Sequence, residues 1–258
     1  MVSILDEVKK EYIRDLVAKG RRADGRQFDE LRKAISVERS IIPNAEGSAR
    51  VHWGKTQVLV GIKMGVGAPF PDRPDEGVLS TNAELLPLAS PVFEMGPPDA
   101  NSIELARVVD RGIRSSNVID LKSLFIEENK VWNVFVDIYV LDHDGNLIDA
   151  SALAAMAALQ CTRIPKYENG NIVYGEYSGN LNVTTKCVAT TFAKIGSNIL
   201  VDPTSDEELA MDARLTISTT PTHVCAMQKG APGGFTKDEL LNLIDKAFEK
   251  GNELRALL

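Results

Sequence analysis

The row of arginines Arg107, Arg111 and Arg114 is the first feature of the sequence that could do chemistry. Side chains three and four residues apart share one face of an α-helix, so the spacing predicts a single row of guanidinium groups. Such a row can hold successive phosphates of a nucleic-acid strand, with a bidentate geometry that lysine lacks. The spacing alone favours a plainer interpretation, an exposed face on which Glu104 pairs with Arg107.

A second candidate is a group of carboxylates between residues 202 and 212. Clustered carboxylates can bind Mg²⁺ or act as general acids. The start of the segment, Asp202-Pro203-Thr204-Ser205, also has the composition of a turn, and Arg214 follows closely enough to neutralise part of the charge. These residues alone therefore favour an exposed acidic loop. The group comprises Asp202, Asp206, Glu207, Glu208 and Asp212.

Motifs of other enzyme classes are missing from the sequence. There is no G-x-S-x-G or H-E-x-x-H pattern, and the glycine-rich pieces at 61–67 and 230–234 match neither a Walker A loop nor a dinucleotide fingerprint. The three cysteines lie far apart without a C-x-x-C pair, which predicts neither a disulfide framework nor a zinc site and suits a reducing compartment. We predict neither a metal nor a cofactor.

Composition limits the class of protein. A chain of 258 residues with 44% hydrophobic and 25% charged residues is typical of globular proteins. The net charge of −7 argues against a protein that binds nucleic acid unaided, although it allows a local basic stripe or one completed by a partner chain. The start has no signal-peptide pattern, and no apolar run approaches a membrane span, so we expect a cytoplasmic protein.

Periodicity predicts an α/β protein of the α+β type, without the regular β-α alternation of a Rossmann fold. We expect one domain over residues 1–258, built from two similar halves. Ser3 is the predicted N-cap of the first helix, Asn101 or Ser102 that of the second, and Thr236 with Glu239 has capping-box spacing. The predicted helices cover residues 3–19, 101–115, 149–160 and 237–257. The predicted strands cover 34–42, 48–53, 56–64, 131–141, 183–195, 198–201, 215–220 and 224–229, with a hairpin turn at Gly54-Lys55 and a long loop over 65–100.

Taken in order, several short motifs resemble the RNase PH family of phosphate-dependent 3′-to-5′ exoribonucleases. The resemblance runs over nearly the whole chain, and the shared order and spacing are more specific than any one motif. The motifs are Arg22-Ala23-Asp24-Gly25-Arg26, Gly47-Ser48-Ala49, Gly54-Lys55-Thr56-Gln57-Val58, the Glu104–Arg107–Arg111 helix, Asp144-Gly145-Asn146 after the Trp132 strand, and Asp202-Pro203-Thr204 with Glu207-Glu208.

The resemblance implies mixed sheets with flanking helices in two related halves, and a six-membered ring. It also implies two catalytic features from which this chain departs. The family's phosphate cradle, Asp-Gly-Gly-Thr/Ser-Arg, here continues after Asp144-Gly145 as Asn146, Leu147 and Ile148, and the last two cannot donate hydrogen bonds to phosphate. The family's two acidic residues, six apart, fall on Glu208 and Arg214, and a guanidinium cannot act as an acid near neutral pH.

These departures resemble the non-catalytic subunits of the archaeal exosome ring. That resemblance implies a catalytic RNase PH-type partner in a trimer of heterodimers, with RNA-binding cap subunits on one face. It further implies that Arg107 and Arg111 help to hold single-stranded RNA, with Arg114 as a third candidate, and it reverses the plainer interpretation of the arginine row.

Two alternatives remain open from the sequence. One is an active phosphorolytic exoribonuclease with a relocated phosphate site, in which Arg50 or Arg163 replaces the missing cradle. The other is an assembly protein that does not contact RNA.

Overall fold

The computed structural model describes residues 4–258, in which two main sheets share one alanine-rich helix. The helices are α1 (Ile4–Ala18), α2 (Ala100–Ser115), α3 (Leu147–Gln160), α4 (Ser205–Ala210) and α5 (Lys237–Arg255), with a 3₁₀ helix at Leu121–Leu124. The strands are β1 (Ile35–Arg39), β2 (Gly47–Trp53), β3 (Thr56–Gly67), β4 (Val78–Leu85), β5 (Phe125–Glu127), β6 (Lys130–Asp142), β7 (Arg163–Glu168), β8 (Asn171–Asn180), β9 (Val188–Ile195), β10 (Asn198–Val201), β11 (Ala213–Thr219) and β12 (Val224–Gly230).

The first sheet has the order β1-β2-β3-β6-β4, with β5 paired to β6. Its central strand β6 buries Val134, Val136, Ile138 and Val140 on one face, as the predicted alternation requires. The predicted Gly54-Lys55 hairpin is confirmed, because β2 and β3 pair antiparallel across it and Gly54 has a φ of +62°. This sheet is mixed, since β4 runs parallel to β6.

The second sheet has the order β10-β9-β11-β12 and is antiparallel throughout. Helix α3 contacts β2 and β3 of the first sheet and β9 of the second. Its alanines at 150, 154, 155, 157 and 158 are fully buried, and small side chains let both sheets approach the helix closely. One hydrophobic cluster includes residues of both sheets.

The predicted loop over 65–100 is wrong in part. Strand β3 continues to Gly67, and Val78–Leu85 forms β4 beside β6. Strand β4 buries Leu79 and Ala83, but its remaining positions are mostly polar. The apolar–polar alternation that predicts a strand is therefore weak in this segment. Its parallel pairing joins segments about 55 residues apart, which no local pattern reveals.

The bounds of several other helices and strands differ from the predicted ones. Asp99, and not Asn101 or Ser102, caps α2, while α3 begins at Leu147, two residues earlier than predicted. The first strand is shorter than predicted and the strand predicted from 183 begins at Val188. Sequence reasoning missed α4, β5 and the β7–β8 hairpin. The capping box at Thr236 is confirmed, and the predicted cap at Ser3 lies outside the described residues.

Candidate functional site

Helix α2 presents the arginine row on its outer face. Its inner face buries Leu105, Val108, Val109 and Ile113, so residues on the opposite side of the helix must face outward. The three arginines are exposed and line one surface pocket of about 460 Å³, together with Ser80 and Thr81 of β4. The predicted grouping of the three side chains is therefore present in the fold.

The three arginines differ in the hydrogen-bond and ion-pair partners of their guanidinium groups. Arg114 donates to Asp110 at 2.9 and 3.1 Å and to the carbonyl oxygen of Leu79 at 3.1 Å, so it clamps α2 to β4. Arg111 donates one hydrogen bond, from Nη1 to Oε1 of Gln228 at 3.1 Å. Within residues 4–258, Arg107 has no hydrogen-bond or ion-pair partner. Neither Arg107 nor Arg111 therefore forms an ion pair within the described residues, although Asp110 lines the same pocket.

The plainer interpretation, a Glu104–Arg107 pair, is wrong. Glu104 accepts a hydrogen bond from Arg214 of β11, with 2.7 Å between Nη2 and Oε1. Arg214 makes no ion pair with the acidic cluster, in which Asp212 pairs with Arg14 at 2.9 Å, although its positive charge does act on Glu208. An ion pair between α2 and the second sheet has replaced the two local pairs that the sequence suggested.

A second cleft, of about 260 Å³, contains the residues predicted to be the degenerate catalytic centre. Leu147, Ile148, Glu208 and Arg214 all line it, so the fold brings the altered cradle and the altered acidic pair together. Ile148 is 6% exposed and belongs to the hydrophobic core. The apolar side chains at these two positions supply none of the donors that bind an anion. Leu85, Val92, Phe93, Asn101, Glu104, Leu105 and His143 complete the lining.

Asn146, the first altered cradle residue, has a structural role in this fold. It adopts a left-handed conformation with a φ of +56° and precedes the first turn of α3. Its side-chain Nδ2 donates to Oδ1 of Asp202 at 2.7 Å, and its backbone N–H donates to Oε1 of Glu208 at 2.8 Å. The buried amide is therefore directed into the protein and away from the cleft.

Glu208 is half-buried at the edge of this cleft, and its ionisation is shifted. Burial raises the pKa of the Glu208 carboxyl to about 7, against the opposing effects of the Asn146 N–H and of the positive charges of Arg214 and Arg32. A carboxyl with that pKa can exchange a proton near neutral pH. Its predicted partner at the second acidic position, however, is the guanidinium of Arg214, which is already bonded to Glu104.

The acidic segment is not the exposed loop that these residues suggested by themselves. Residues 205–210 form α4, Thr204 and Glu207 make a capping box, and Glu207 is buried against Arg22 with 2.6 Å between Nη2 and Oε2. Buried Asp202 accepts from Arg32 at 2.7 Å. Sequence reasoning missed Arg22 and Arg32 as partners, because they lie 185 and 170 residues away.

Asp202 joins the segments that hold the altered cradle in place. Its carboxylate accepts hydrogen bonds from Arg26, Arg32 and Asn146. Burial alone would raise the pKa of Asp202, but the hydrogen bonds from Arg32 and the positive charges of Arg32 and Arg26 lower it overall. The carboxylate therefore remains ionised inside the protein.

Residues 4–258 contain no group of three or more His, Cys, Asp or Glu side chains arranged to hold a metal ion. None of the helices in that range is long and apolar enough to cross a membrane.

Comparison with known proteins identifies the family. Residues 30–165 match domain 1 of the 3′ exoribonuclease family (RNase PH), and residues 187–250 match domain 2 of the same family. The chain belongs to this family. The first match spans the six-stranded sheet and the second spans the four-stranded sheet, so the predicted RNase PH-like fold is confirmed.

Curated relatives of similar length agree with the family assignment. The exosome complex component Rrp42 of Thermococcus gammatolerans is 52% identical over 263 aligned positions, which cover 100% of this chain and 96% of that protein. The exosome complex component Rrp42 of Methanothermobacter thermautotrophicus is 48% identical over 258 positions, covering 98% of this chain and 95% of that protein.

Solved structures show the same relationship. A chain of the Archaeoglobus fulgidus exosome with RNA bound to the active site matches with a TM-score of 0.92 and 48% identity, covering 98% of this chain and 99% of that chain. A chain of an archaeal exosome core matches with a TM-score of 0.87 and 46% identity. Rice Rrp46, at 19% identity and a TM-score of 0.68, shares the fold.

Proposed function

We propose that this protein is a non-catalytic ring subunit of an archaeal-type RNA exosome, acting in the cytoplasm in phosphate-dependent 3′-to-5′ RNA degradation. One observation carries the proposal. In the cleft where the family resemblance places phosphate and an acid, this chain has Leu147, Ile148 and the Arg214–Glu104 ion pair. Apolar side chains and a paired guanidinium supply neither a phosphate cradle nor a second proton donor.

The partner in this proposal is a catalytic RNase PH-type subunit, with which the chain forms a hexameric ring as a trimer of heterodimers. RNA-binding cap subunits then lie on one face of that ring. The full-length similarity to exosome components Rrp42 supports this assignment, and so does the match to chains of two exosome assemblies.

The contribution to RNA binding comes from Arg107 and Arg111. Both are exposed in the same polar pocket and neither is paired with a carboxylate in the part of the chain that the structure describes. Two unneutralised guanidiniums one helical turn apart suit successive phosphates of a single strand. Arg114 lines the same pocket, but its pairing with Asp110 reduces its charge toward RNA, so we expect a smaller share from it. The net charge of −7 does not oppose this role, because only the lining of a shared channel must be basic.

The absence of catalysis is tested with the full-length chain alone. We expect no release of nucleoside diphosphates from poly(A) in the presence of inorganic phosphate, and robust release only after the catalytic partner is added. Turnover by the isolated chain comparable to that of the assembled ring would overturn the proposal.

The RNA-binding role is tested in the assembled ring with Arg107→Ala and Arg111→Ala. For single-stranded RNA, each lost phosphate contact should lower the slope of log affinity against log salt by about 0.7. Arg21→Ala is the control, because Arg21 is an exposed arginine outside the pocket. Unchanged affinity and slope in both pocket variants would instead favour an assembly protein that does not contact RNA.

The rival enzyme hypothesis has little support from the geometry. Arg50 pairs with Glu38 at 2.7 Å, and Arg163 stacks on Tyr177 with 3.8 Å between the guanidinium carbon and the ring centre. Neither side chain lines the cleft that contains Leu147. The two arginines that were candidates for a relocated phosphate site are therefore occupied elsewhere.

A further inference from the structure

A chain of hydrogen bonds joins the degenerate catalytic cleft to the arginine pocket. Arg214 Nη2 donates to Glu104 Oε1 at 2.7 Å, and Gln228 Nε2 donates to the same oxygen at 3.3 Å. Gln228 Oε1 then accepts from Arg111 Nη1 at 3.1 Å. The four side chains alternate between helix α2 and the second sheet, and they link the pocket that contains Arg111 to the cleft that contains Glu104 and Arg214.

The strand register explains why Arg214 and Gln228 meet the same carboxylate. Arg214 of β11 lies opposite Gly230 of β12, and Thr216 lies opposite Gln228. Arg214 and Gln228 are therefore diagonal neighbours on one face of the sheet, within reach of a common partner on α2.

Gly230 leaves room for this arrangement. A Cβ at Gly230 would lie 2.8 Å from Nη2 of Arg214 and 3.0 Å from its Nε, which is closer than side-chain atoms approach. Without a side chain at that position, the guanidinium can lie across β12 toward helix α2. An acidic residue at position 214 would repel Glu104, whereas arginine attracts it.

The orientation of the Gln228 side-chain amide connects Glu104 to Arg111. Its two ends are not equivalent, because the nitrogen only donates and the oxygen only accepts. Glu104 fixes the nitrogen, so the oxygen must point toward Arg111, where it can hold a guanidinium. A flipped amide would present its nitrogen to Arg111, and two donors cannot bond to each other.

We infer that Arg214, Glu104 and Gln228 are positioning residues for Arg111 in RNA binding. The position at which the family resemblance expects an acid has thereby gained a role in orienting a phosphate-binding side chain. This inference rests on the proposed function, since it assumes that Arg111 contacts RNA. Arg107, which has no comparable partner among residues 4–258, is held only by its helix.

The test is a double-mutant cycle in the assembled ring, read by fluorescence anisotropy with labelled poly(A). Gln228→Leu should weaken binding roughly three- to ten-fold, the usual effect of losing the net contribution of one hydrogen bond. It should also reduce the steepness of log affinity against log salt concentration by about 0.7, because one phosphate contact is lost. The same reduction is expected for Arg111→Ala. In the Arg111→Ala background, Gln228→Leu should change affinity less than about two-fold, since coupled residues are not additive.

Substitutions at Arg214 test the other end of the chain of hydrogen bonds. Arg214→Leu should cause part of the loss of RNA affinity that Gln228→Leu causes. Arg214→Lys should retain the wild-type affinity, because a lysine keeps a positive charge beside Glu104. Thermal midpoints of all variants check that the fold is retained.

Each outcome has a distinct meaning. An equal loss from Gln228→Leu in both backgrounds would show an effect on the fold and would overturn the positioning role. Weaker binding from Arg111→Ala with no effect of Gln228→Leu would overturn it while leaving the proposed function intact. No effect of Arg111→Ala would refute both this inference and the proposed contact of Arg111 with RNA.

Discussion

Replacing Asp202 by asparagine removes the buried charge that holds the altered cradle to the N-terminal segment. The Asp202 side chain is fully buried and faces Arg26 at 2.9 Å and Arg32 at 2.7 Å, whose side chains are only 8% and 9% exposed. It also accepts from the Asn146 amide at 2.7 Å. An asparagine of nearly the same shape keeps the packing but removes the ion-pair partner of Arg32, whereas Arg26 keeps its ion pair with Asp24 at 2.6 Å.

The expected loss is large because these cations cannot reach water. Removing one partner of a buried ion pair typically costs about 3–5 kcal/mol. For a chain of this size each kcal/mol lowers the melting temperature by about 2–4 °C, so Asp202→Asn should lower it by roughly 6–20 °C. The backbone carbonyls of Asp144 and Gly145 still accept from Arg32 and keep the loss toward the lower end.

The assay is thermal and urea unfolding of the full-length chain at pH 7, with Asp206→Asn as the matched control. Asp206 undergoes the same chemical change four residues away, but its ion pair with Lys9, at 3.2 Å, is about half exposed. Such a surface pair contributes at most about 1 kcal/mol.

The pH dependence gives an independent check with a definite sign. The pKa of Asp202 is lowered in the folded protein, so its carboxylate stabilises the fold above the ordinary value of 3.8. That contribution is lost as the pH falls through the lower folded pKa. The difference between wild type and Asp202→Asn should therefore be greatest near neutral pH and should shrink below about pH 4.

An Asp202→Asn variant no less stable than Asp206→Asn at pH 7 would refute the reasoning. So would a stability difference from wild type that stays constant between pH 7 and pH 3. Either result would mean that Asp202 is not an ionised, buried partner of Arg26 and Arg32.

Two further predictions concern the cleft and the core. The pKa of Glu208 is raised to about 7, so this carboxyl lowers wild-type stability as the pH rises from about 4.5 to 7. Glu208→Gln should therefore gain stability relative to wild type over that interval, and melting temperatures that run parallel from pH 5 to 8 would contradict this. Gly47→Ala should cost about 1–3 kcal/mol in urea unfolding, because the added Cβ would lie 2.6 Å from the carbonyl oxygen of Ala158. Gly61→Ala, where nothing lies within 4 Å, is the control, and equal effects of the two substitutions would refute the packing argument.

The sequence was informative about the site wherever residue type alone limits the chemistry. Leu147 and Ile148 cannot bind phosphate and Arg214 cannot supply a proton, whatever surrounds them. The arginine row followed equally from the sequence, because helical periodicity fixes which side chains share a face. These local rules gave the candidate residues, and the fold places them in two pockets.

The partners of those residues could not be predicted in the same way. Local spacing suggested that Glu104 pairs with Arg107, but the carboxylate reaches Arg214, 110 residues away. Strand β4 was not predicted from the sequence, because its parallel pairing with β6 is non-local and its exposed positions are polar.

Sequence by itself thus determined which side chains are available and which chemistry they lack. Tertiary structure alone decided which charges are buried and paired. Asp202 and Glu207 look like an exposed acidic run until the N-terminal segment brings Arg32 and Arg22 against them. The physical reason is that helical and strand periodicity act between near neighbours, whereas burial and charge pairing depend on how distant segments pack around a common core.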